Sequence, residues 1–545
     1  MGLETASHRQ QSPGTGIAGT LPQAVAVTAA AHPDRPAVVD AASGQATSYA
    51  ELAGSVIAAA GSWRQAGLRP ADVVAVHAAN IGRWPAAVLA VMAAGGTAAL
   101  CNAYVTAGEL AERLALVRPR VLLTTASLEP TARSAAASRA PLVAVLDGER
   151  PFPAVPSRLP GGHDAATRPA GPGEDPAGDG DAVAVLPFSS GTTGRAKAVE
   201  LTHRNLLAAG SVVRQVFDLR PGDRVLAVAP LAHVMGIGVS LPAALLSGAC
   251  LVTLPQFTPG AFVQALARYQ ITHVVVPPAM LRLLATHPGV NGLDLSRLRM
   301  IAAGGAPVPA QWQTAVTRRL GCRVAQGYGL TETTGVIAIS TGASDLGTCG
   351  RPCDGIEIRV TDPGTGAEAG SGGSGELLVR GPTIMRGYLG DPAATAACLD
   401  TDGWLHTGDL VHLDPGEHLV VTDRLKELIK VNGFQVPPAE LEQLLLAHPA
   451  VADAAVVGRP DPVSGERPVA FIVPHDACSA GASPTPGAHL GSELLDWLAP
   501  RISSYKRPAQ VIITDTIPRN PAGKILRHVL REQATATTTS PAAPA

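Results

Sequence analysis

The sequence predicts an α/β protein. A large N-terminal part is built on parallel sheets and a barrel-like β portion, and a small α+β unit follows at the C-terminus. Three observations carry this. Short apolar runs alternate with helix-length amphipathic stretches through most of the chain; Gly and Pro thicken after about Asp345; and Asn432-Gly433 opens a last section with a different rhythm. At 545 residues the chain is longer than one core fills, about 250–300 residues, so two or more domains are expected.

Taken in order, helices are expected at Tyr49 to Trp63 and Gly108 to Leu116, with strands at Val73 to His77, Val121 to Thr124 and Leu142 to Leu146. Residues 157–181 are rich in Pro, Gly and charge without periodicity and predict a flexible surface loop. A second α/β section starts at Asp181, with strands at Ala182 to Phe188, Val225 to Ala229, Cys250 to Leu254, His273 to Val276 and Met300 to Ala303. Their unbroken apolar character predicts a largely parallel, buried sheet. Ile356 to Val360 and Glu376 to Arg380 belong to the barrel-like portion.

Asn432-Gly433 between Glu427 to Val431 and Phe434 to Val436 is a two-residue hairpin signal, because both turn positions need φ > 0. A helix with Pro438 in its first turn follows. Strands at Val451 to Val457, Val469 to Val473 and Gln510 to Thr514 and a helix from Ser492 to Ile502 complete the small unit. The tail beyond Glu532 is expected to be disordered.

Composition excludes several functions. A net charge of −2 gives no basic field for nucleic acid. Hydrophobic residues are 46% and aromatics 3%, so the core must be made of Ala, Val and Leu. Seven scattered Cys argue for reduced thiols, and Cys349 and Cys353 lack the second ligand pair of a zinc site. The polar N-terminus has no apolar leader core, so a cytoplasmic protein is expected. The uncharged stretch between Arg224 and Arg268 is cut by Pro230, Pro242, Pro255 and Pro259, short of the ~20 residues of a membrane span.

Two Gly-rich stretches compete as phosphate sites. Gly14 to Gly19 (GTGIAG) fits the dinucleotide pattern in letters, but no strand precedes it. Leu186 to Leu206 is different: an apolar strand runs into Ser189, Ser190, Gly191, Thr192, Thr193 and Gly194, then Lys197, before a helix capped near Thr202. Two Gly let the backbone wrap while hydroxyls and N–H groups face phosphate oxygens. It is not a Walker loop, because Ala stands at 196 and 198.

With SSGTTGRAK stand QGYGLTET (Gln326 to Thr333), GELLVRG (Gly375 to Gly381), WLHTGD (Trp404 to Asp409), DRLKELIKVNGFQVPPAELE (Asp423 to Glu442) and PRNPAGKILR (Pro518 to Arg527). In this order they resemble the motifs of the adenylate-forming superfamily of acyl-CoA synthetases, luciferases and peptide-synthetase adenylation domains, in its 4-coumarate and cinnamate CoA ligase-like branch. The resemblance covers nearly the whole chain. It implies a domain 1–422, a hinge 423–426 (Asp423, with Lys426 as pivot), a mobile lid domain 427–532 and a tail 533–545.

The implied reaction joins an acid to coenzyme A through acyl-AMP, with ATP and Mg²⁺. By resemblance, Ser189 to Gly194 and Lys197 hold phosphates, Glu332 holds Mg²⁺ and Thr331 donates to the α-phosphate. Gly304, Ala306, Pro307, Gln326, Gly327, Tyr328 and Gly329 surround the nucleotide. Asp409 accepts the ribose hydroxyls with Arg424 beside it, and Lys524 bridges carboxylate and α-phosphate. Turning the lid brings Lys430, Asn432, Gly433 and Gln435 to the site for coenzyme A.

His233 resembles the histidine that orients the acid and gates thiol entry. Val234, Met235, Gly236, Val239, Gly304, Gly305, Gly327, Gly335, Val336 and Ile337 are expected to form the acid pocket. No carboxylate lies in Val225 to Ala267 to meet an ammonium group, so amino acids are disfavoured. Apolar Met235 and Val239, and glycines expected to open space, predict a bulky, mainly apolar acid.

Family loops usually read Pro-Lys-Gly where this chain has Ala196-Lys197-Ala198. An alanine at a Gly-only conformation would impair adenylation and leave an enzyme that uses preformed acyl-AMP, with Ala198→Gly restoring the first step. A ligase loading a carrier protein, a luciferase-like oxygenase and a non-catalytic binding protein are the other readings. The Ala-rich composition suggests a bacterial genome and specialised metabolism.

Overall fold

Parallel apolar strands need cover on both faces, and two sheets of the N-terminal part meet that need together. The computed structural model describes residues 19–137, 141–147, 159, 179–190, 196–340, 345–370, 372–432, 434–475, 486–520 and 523–536. The first sheet has eight strands in the order Ala338–Ile339, Arg323–Tyr328, Met300–Gly304, His273–Val276, Arg224–Ala227, Cys250–Thr253, Pro36–Asp40, Ala46–Ser48, with the inner six parallel. The second has seven: Gly387–Tyr388, Ala196–Thr202, Val183–Ser190, Thr97–Cys101, Val73–His77, Val121–Thr124, Leu142–Val145.

The two α/β sections expected from the sequence are not separate bodies. Val183–Ser190 pairs with Thr97–Cys101, and Pro36–Asp40 pairs with Cys250–Thr253, so each sheet takes strands from both sides of the loop near residue 170. One core of Ala, Val and Leu, with buried Trp63, Trp84 and Tyr49, spans both sheets. A four-stranded antiparallel sheet, Glu357–Thr361, Ser374–Arg380, Leu405–Leu413 and Leu419–Arg424, forms the barrel-like portion.

The smaller C-terminal domain holds Phe434–Val436, Ile429–Val431, Gly465–Pro474 and Val451–Asp461, with Gln510–Ile513 parallel to Gly465–Pro474. Asn432 takes φ +50° at the hairpin tip, as a two-residue turn demands. The helix expected at Ser492 to Ile502 runs instead from Pro486–Leu498, with Leu494 and Leu498 buried one turn apart. The last helix, Arg527–Ala536, continues past Glu532, where a disordered tail was expected, because Leu530 and Ala534 bury on the same face. Residues 537–545, most of the 157–181 loop and Gly14 to Ala18 lie outside the described residues.

Lys197 proves to be a strand residue. Ala196–Thr202 turns back antiparallel on Val183–Ser190, with Ser190↔Ala196, Ser189↔Lys197 and Phe188↔Ala198 opposite each other. The helix follows where expected, from His203, and the Thr202 hydroxyl caps it by accepting the Asn205 N–H.

Among the described residues His77, Trp84, Thr124 and Gln326 carry buried polar atoms without a hydrogen bond. His77 is fully buried at the end of Val73–His77, and the Ala103 backbone interacts with its ring without meeting hydrogen-bond geometry. Burial, and then the charge of Arg113, pull its pKa down to about 4. An unmet buried polar group costs about 1–3 kcal/mol. His77→Leu is therefore expected to raise the thermal unfolding midpoint by a few degrees; a clear fall would contradict this reading.

Candidate functional site

The site is assembled where three sheets offer their ends or edges to one another and a turn of the C-terminal domain meets them. Met300–Gly304 and Arg323–Tyr328 run parallel with Gly304 opposite Gly327, so the segments after them, Gly305 to Pro307 and Gly329 to Glu332, leave the sheet side by side. Ligands of parallel sheets bind at such carboxyl ends. The hairpin of Ser189 and Lys197 lies against the turn Thr331–Thr333. Gly191, Thr192, Thr193 and Gly194 lie outside the described residues, as do the Ser190 side chain, Gly433 and the Gln435 side chain.

Asp409 is the most deeply buried acid among these residues, 1% exposed. Tyr328 donates its hydroxyl to Oδ2 at 2.6 Å, and Arg424 donates Nε–H to Oδ1 at 2.6 Å, from directly across the strand pair. A carboxylate has about four acceptor positions, so these two bonds orient Asp409 without exhausting it. The same carboxylate, after burial, holds the Tyr328 hydroxyl well above its ordinary pKa, and it stays a donor. Burial opposes the charge on Arg424, but Asp409 and Glu427 more than offset it.

Gln326 carries an acceptor that the protein itself leaves unused. Its amide N–H reaches Cys349 Sγ at 3.3 Å, while Oε1 is buried with no hydrogen-bond partner. A buried orphan acceptor beside Gly327 and Tyr328 suits a donor such as the amino group of a purine.

Lys524 reaches this centre from the C-terminal domain. It sits in a tight turn, with its N–H donating to Asn520 Oδ1 at 2.9 Å and Asn520 N–H donating back to its carbonyl at 2.9 Å. Its Nζ lies 4.0 Å from Glu427 Oε1. Burial and the neighbouring Arg424 lower its pKa, while Glu427 and Asp409 oppose the shift. Sequence reasoning missed what holds this segment: Arg519 donates to the Gly523 carbonyl at 2.9 Å, and just beyond the turn Arg527 donates to Glu427 at 2.8 Å, to Glu442 at 2.5 Å and to the Val456 carbonyl at 2.7 Å. Such planar forked pairing is a property of Arg rather than Lys. Lys430 and Asn432, by contrast, are exposed on the hairpin of the same domain.

Asp423 links the two domains. Its Oδ1 accepts the Arg424 N–H at 2.7 Å and its Oδ2 the Ala439 N–H at 3.1 Å, in the first turn of the helix Pro438–Leu446. Burial lifts its pKa to about 6. Lys426, three residues on, is exposed.

His233 precedes a buried π-helical turn, Met235–Ser240, an arrangement frequent at functional sites. Its Nδ1 accepts the Met235 N–H at 3.3 Å, which leaves the proton on Nε2. Burial lowers its pKa to about 4, so the ring is neutral at physiological pH. Val234, Met235, Val239, Val336 and Ile337 are all buried and apolar.

The glycines correct one expectation. A Cβ on Gly236 would stand 2.4 Å from Leu231 Cα, one on Gly304 2.8 Å from the Gly327 carbonyl, and one on Gly329 2.3 Å from Gly335. These glycines let backbones touch, whereas Gly327 has open space where a Cβ would stand. Gly335 itself has φ +84° and Gly305 φ +86°. Ala198 is corrected too. It is an ordinary strand residue outside the positive-φ set, 1% exposed, with its methyl packed among Ala99, Cys101 and Leu186. The backbone-conformation ground for impaired adenylation is therefore removed.

Comparison with known proteins agrees with this geometry. The family model described as AMP-binding enzyme matches residues 25–389, and the AMP-binding enzyme C-terminal domain matches 440–524. The chain is 36% identical over 515 residues to 4-coumarate–CoA ligase 3 of Oryza sativa subsp. japonica, covering 91% of this chain and 89% of that protein. It is 34% identical over 524 residues to peroxisomal OPC-8:0-CoA ligase 1 of Arabidopsis thaliana, covering 93% and 92%. The ATP-bound MatB structure from Rhodopseudomonas palustris superposes with a TM-score of 0.81 at 27% identity, covering 95% and 99%. Both named relatives come from plants, so the bacterial setting suggested by composition gains no support, and one is peroxisomal, so neither does a cytoplasmic location. Among the described residues no helix is long and apolar enough to cross a membrane. With both domains matched and relatives of this length and identity, the chain belongs to the AMP-binding, adenylate-forming enzymes in their 4-coumarate–CoA ligase-like branch, and is an acid–thiol ligase.

Proposed function

We propose that this enzyme activates a bulky, mainly apolar carboxylic acid with ATP and passes the acyl group to coenzyme A, with the C-terminal domain turning between the two steps. The observation that carries this is the placement of Lys524 beside Asp409 and Arg424 while Lys430 and Asn432, on the same domain, face solvent. One orientation cannot serve both sets.

In the first step a carboxylate oxygen attacks the α-phosphorus of ATP and the bond to pyrophosphate breaks. Negative charge converges, and Lys524 and Thr331 stabilise it, while Ser189 to Gly194 and Lys197 hold the β and γ phosphates. Asp409 anchors the ribose, and Gln326 takes the adenine amino group on its orphan oxygen. Glu332 offers the hard carboxylate oxygen that a Mg²⁺ ion prefers, and the ion would neutralise phosphate charge there. In the second step the lid turns about Asp423 to Lys426 and brings Lys430, Asn432, Gly433 and Gln435 to the coenzyme A thiol. Sulfur attacks the carbonyl carbon, the bond to AMP breaks and the thiol proton leaves.

His233, with its proton fixed on Nε2, donates to a carboxylate or carbonyl oxygen and does not act as a base. The case for an apolar acid rests on the buried lining from Val234 to Ile337; the case for bulk rests on the substrates in the relatives' names, not on space left by glycine.

Three outcomes test this. Lys524→Ala should slow pyrophosphate release by on the order of 10²–10³ while leaving conversion of supplied acyl-AMP to the CoA ester within a few-fold of wild type; equal losses in both steps would reject the division of labour. Ala198→Gly should not increase pyrophosphate release and should lower stability by about 1 kcal/mol, because a glycine in a strand loses packing and gains chain entropy; faster adenylation would revive the acyl-AMP-only reading. Because His233 has a depressed pKa, its neutral form persists as pH falls through 6.5 and is lost only near 4. The pH profile of adenylation should then be unchanged near pH 6.5 when His233 is replaced by Asn, at whatever lower rate; an inflection near 6.5 that vanishes in the variant would contradict this.

A further inference from the structure

Tyr388, which no sequence motif singled out, contacts both Lys197 and Glu332, the two groups proposed to meet the polyphosphate and its metal ion. Its hydroxyl donates to Glu332 Oε1 at 2.8 Å, and Lys197 Nζ sits 4.5 Å from the centroid of its ring. The backbone around it is joined to both. Met385 N–H donates to the Glu332 carbonyl at 2.8 Å, and Leu389 N–H donates to the Ala198 carbonyl at 2.9 Å, next to Lys197. Gly387–Tyr388 pairs as an edge strand with Val199 and Glu200, and the Thr395 hydroxyl accepts the Tyr388 N–H at 2.9 Å.

Opposite charges this near one another tend to pair directly, which would quench both before the nucleotide arrives. Here an aromatic ring occupies the space, and among the described residues no ion pair joins Lys197 to Glu332. The ring face holds the ammonium by its quadrupole, and the ring edge holds the carboxylate by its O–H.

We propose that Tyr388 is a positioning residue that sets Lys197 and Glu332 apart and aims them at the phosphates and their metal ion. This rests on the ATP-dependent reading above. The hydroxyl and the ring do separable work. The O–H fixes which carboxylate oxygen of Glu332 faces the ion, the kind of outer contact whose loss typically costs 10–100-fold in metal affinity. The ring seats Lys197 whether or not a metal is present.

The test uses the full-length protein and two variants, Tyr388→Phe and Tyr388→Leu. ATP binding is followed by calorimetry with Mg²⁺ and with EDTA, and Mn²⁺ binding to the ATP complex by electron paramagnetic resonance. Thermal unfolding serves as the folding control. In Tyr388→Phe the metal concentration for half-saturation should rise about tenfold or more, with metal-free ATP affinity unchanged. In Tyr388→Leu metal-free affinity should also fall several-fold. If Tyr388→Phe binds Mn²⁺ and ATP as the wild type does, or if both variants lose metal-free and metal-dependent binding equally, the assignment is overturned. Failure of the wild type itself to bind ATP would instead remove the reading beneath it.

Discussion

The buried carboxylate of Asp409 is the constraint on which the rest of the site depends. A nearly inaccessible negative charge needs partners, and it takes one from each neighbour: Tyr328 at the end of a parallel strand and Arg424 across an antiparallel pair. The Tyr328 bond joins the first sheet to the barrel-like sheet, and the Arg424 bond ties two strands within the latter. Arg424 also stands at the threshold of the C-terminal domain, beside Asp423, which caps the first helix of that domain. The carboxylate proposed to anchor the nucleotide is therefore bonded to Arg424, the neighbour in sequence of the residue proposed to begin the hinge.

Much of this is visible in the residues. Val73–His77, Val121–Thr124 and His273–Val276 have the bounds expected from apolar runs, because a strand buried on both faces leaves an unbroken signature, and Phe434–Val436 has the bounds expected from the hairpin signal before it. The strand Ala196–Thr202 was hidden by its charges. Lys197 and Glu200 alternate with buried Ala198 and Val199 at a hairpin edge, and nothing local distinguishes that from a loop entering a helix. Strand pairing across the loop near residue 170 was equally out of reach, since which strands pair is decided by long-range packing.

At the candidate site, the resemblance of the motifs proposed Asp409, Lys524, Glu332 and Gln326, and the structure shows what each of them contacts. Tyr388 and Arg527 act through geometry that no spacing carries. A single Tyr in a Gly-rich stretch and an Arg opening a polar helix look ordinary until their partners, 56 and 85–100 residues away, are placed beside them. The glycines show the same limit from the other side. Composition says the chain is permissive at Gly236, Gly304 and Gly329, but only coordinates reveal that the freedom is spent on backbone contact.

The central claim is that one enzyme makes an acyl adenylate and then discharges it to a thiol. Single-turnover mass spectrometry addresses it directly. Enzyme in excess over an apolar aryl or long-chain acid is mixed with Mg²⁺ and ATP, sampled without coenzyme A, and sampled again after its addition. The account predicts an acyl-AMP species at up to one per active site, which disappears as the CoA ester and AMP form together. Appearance of the CoA ester with no adenylate ever trapped, or with ADP and phosphate in place of AMP and pyrophosphate, would contradict it.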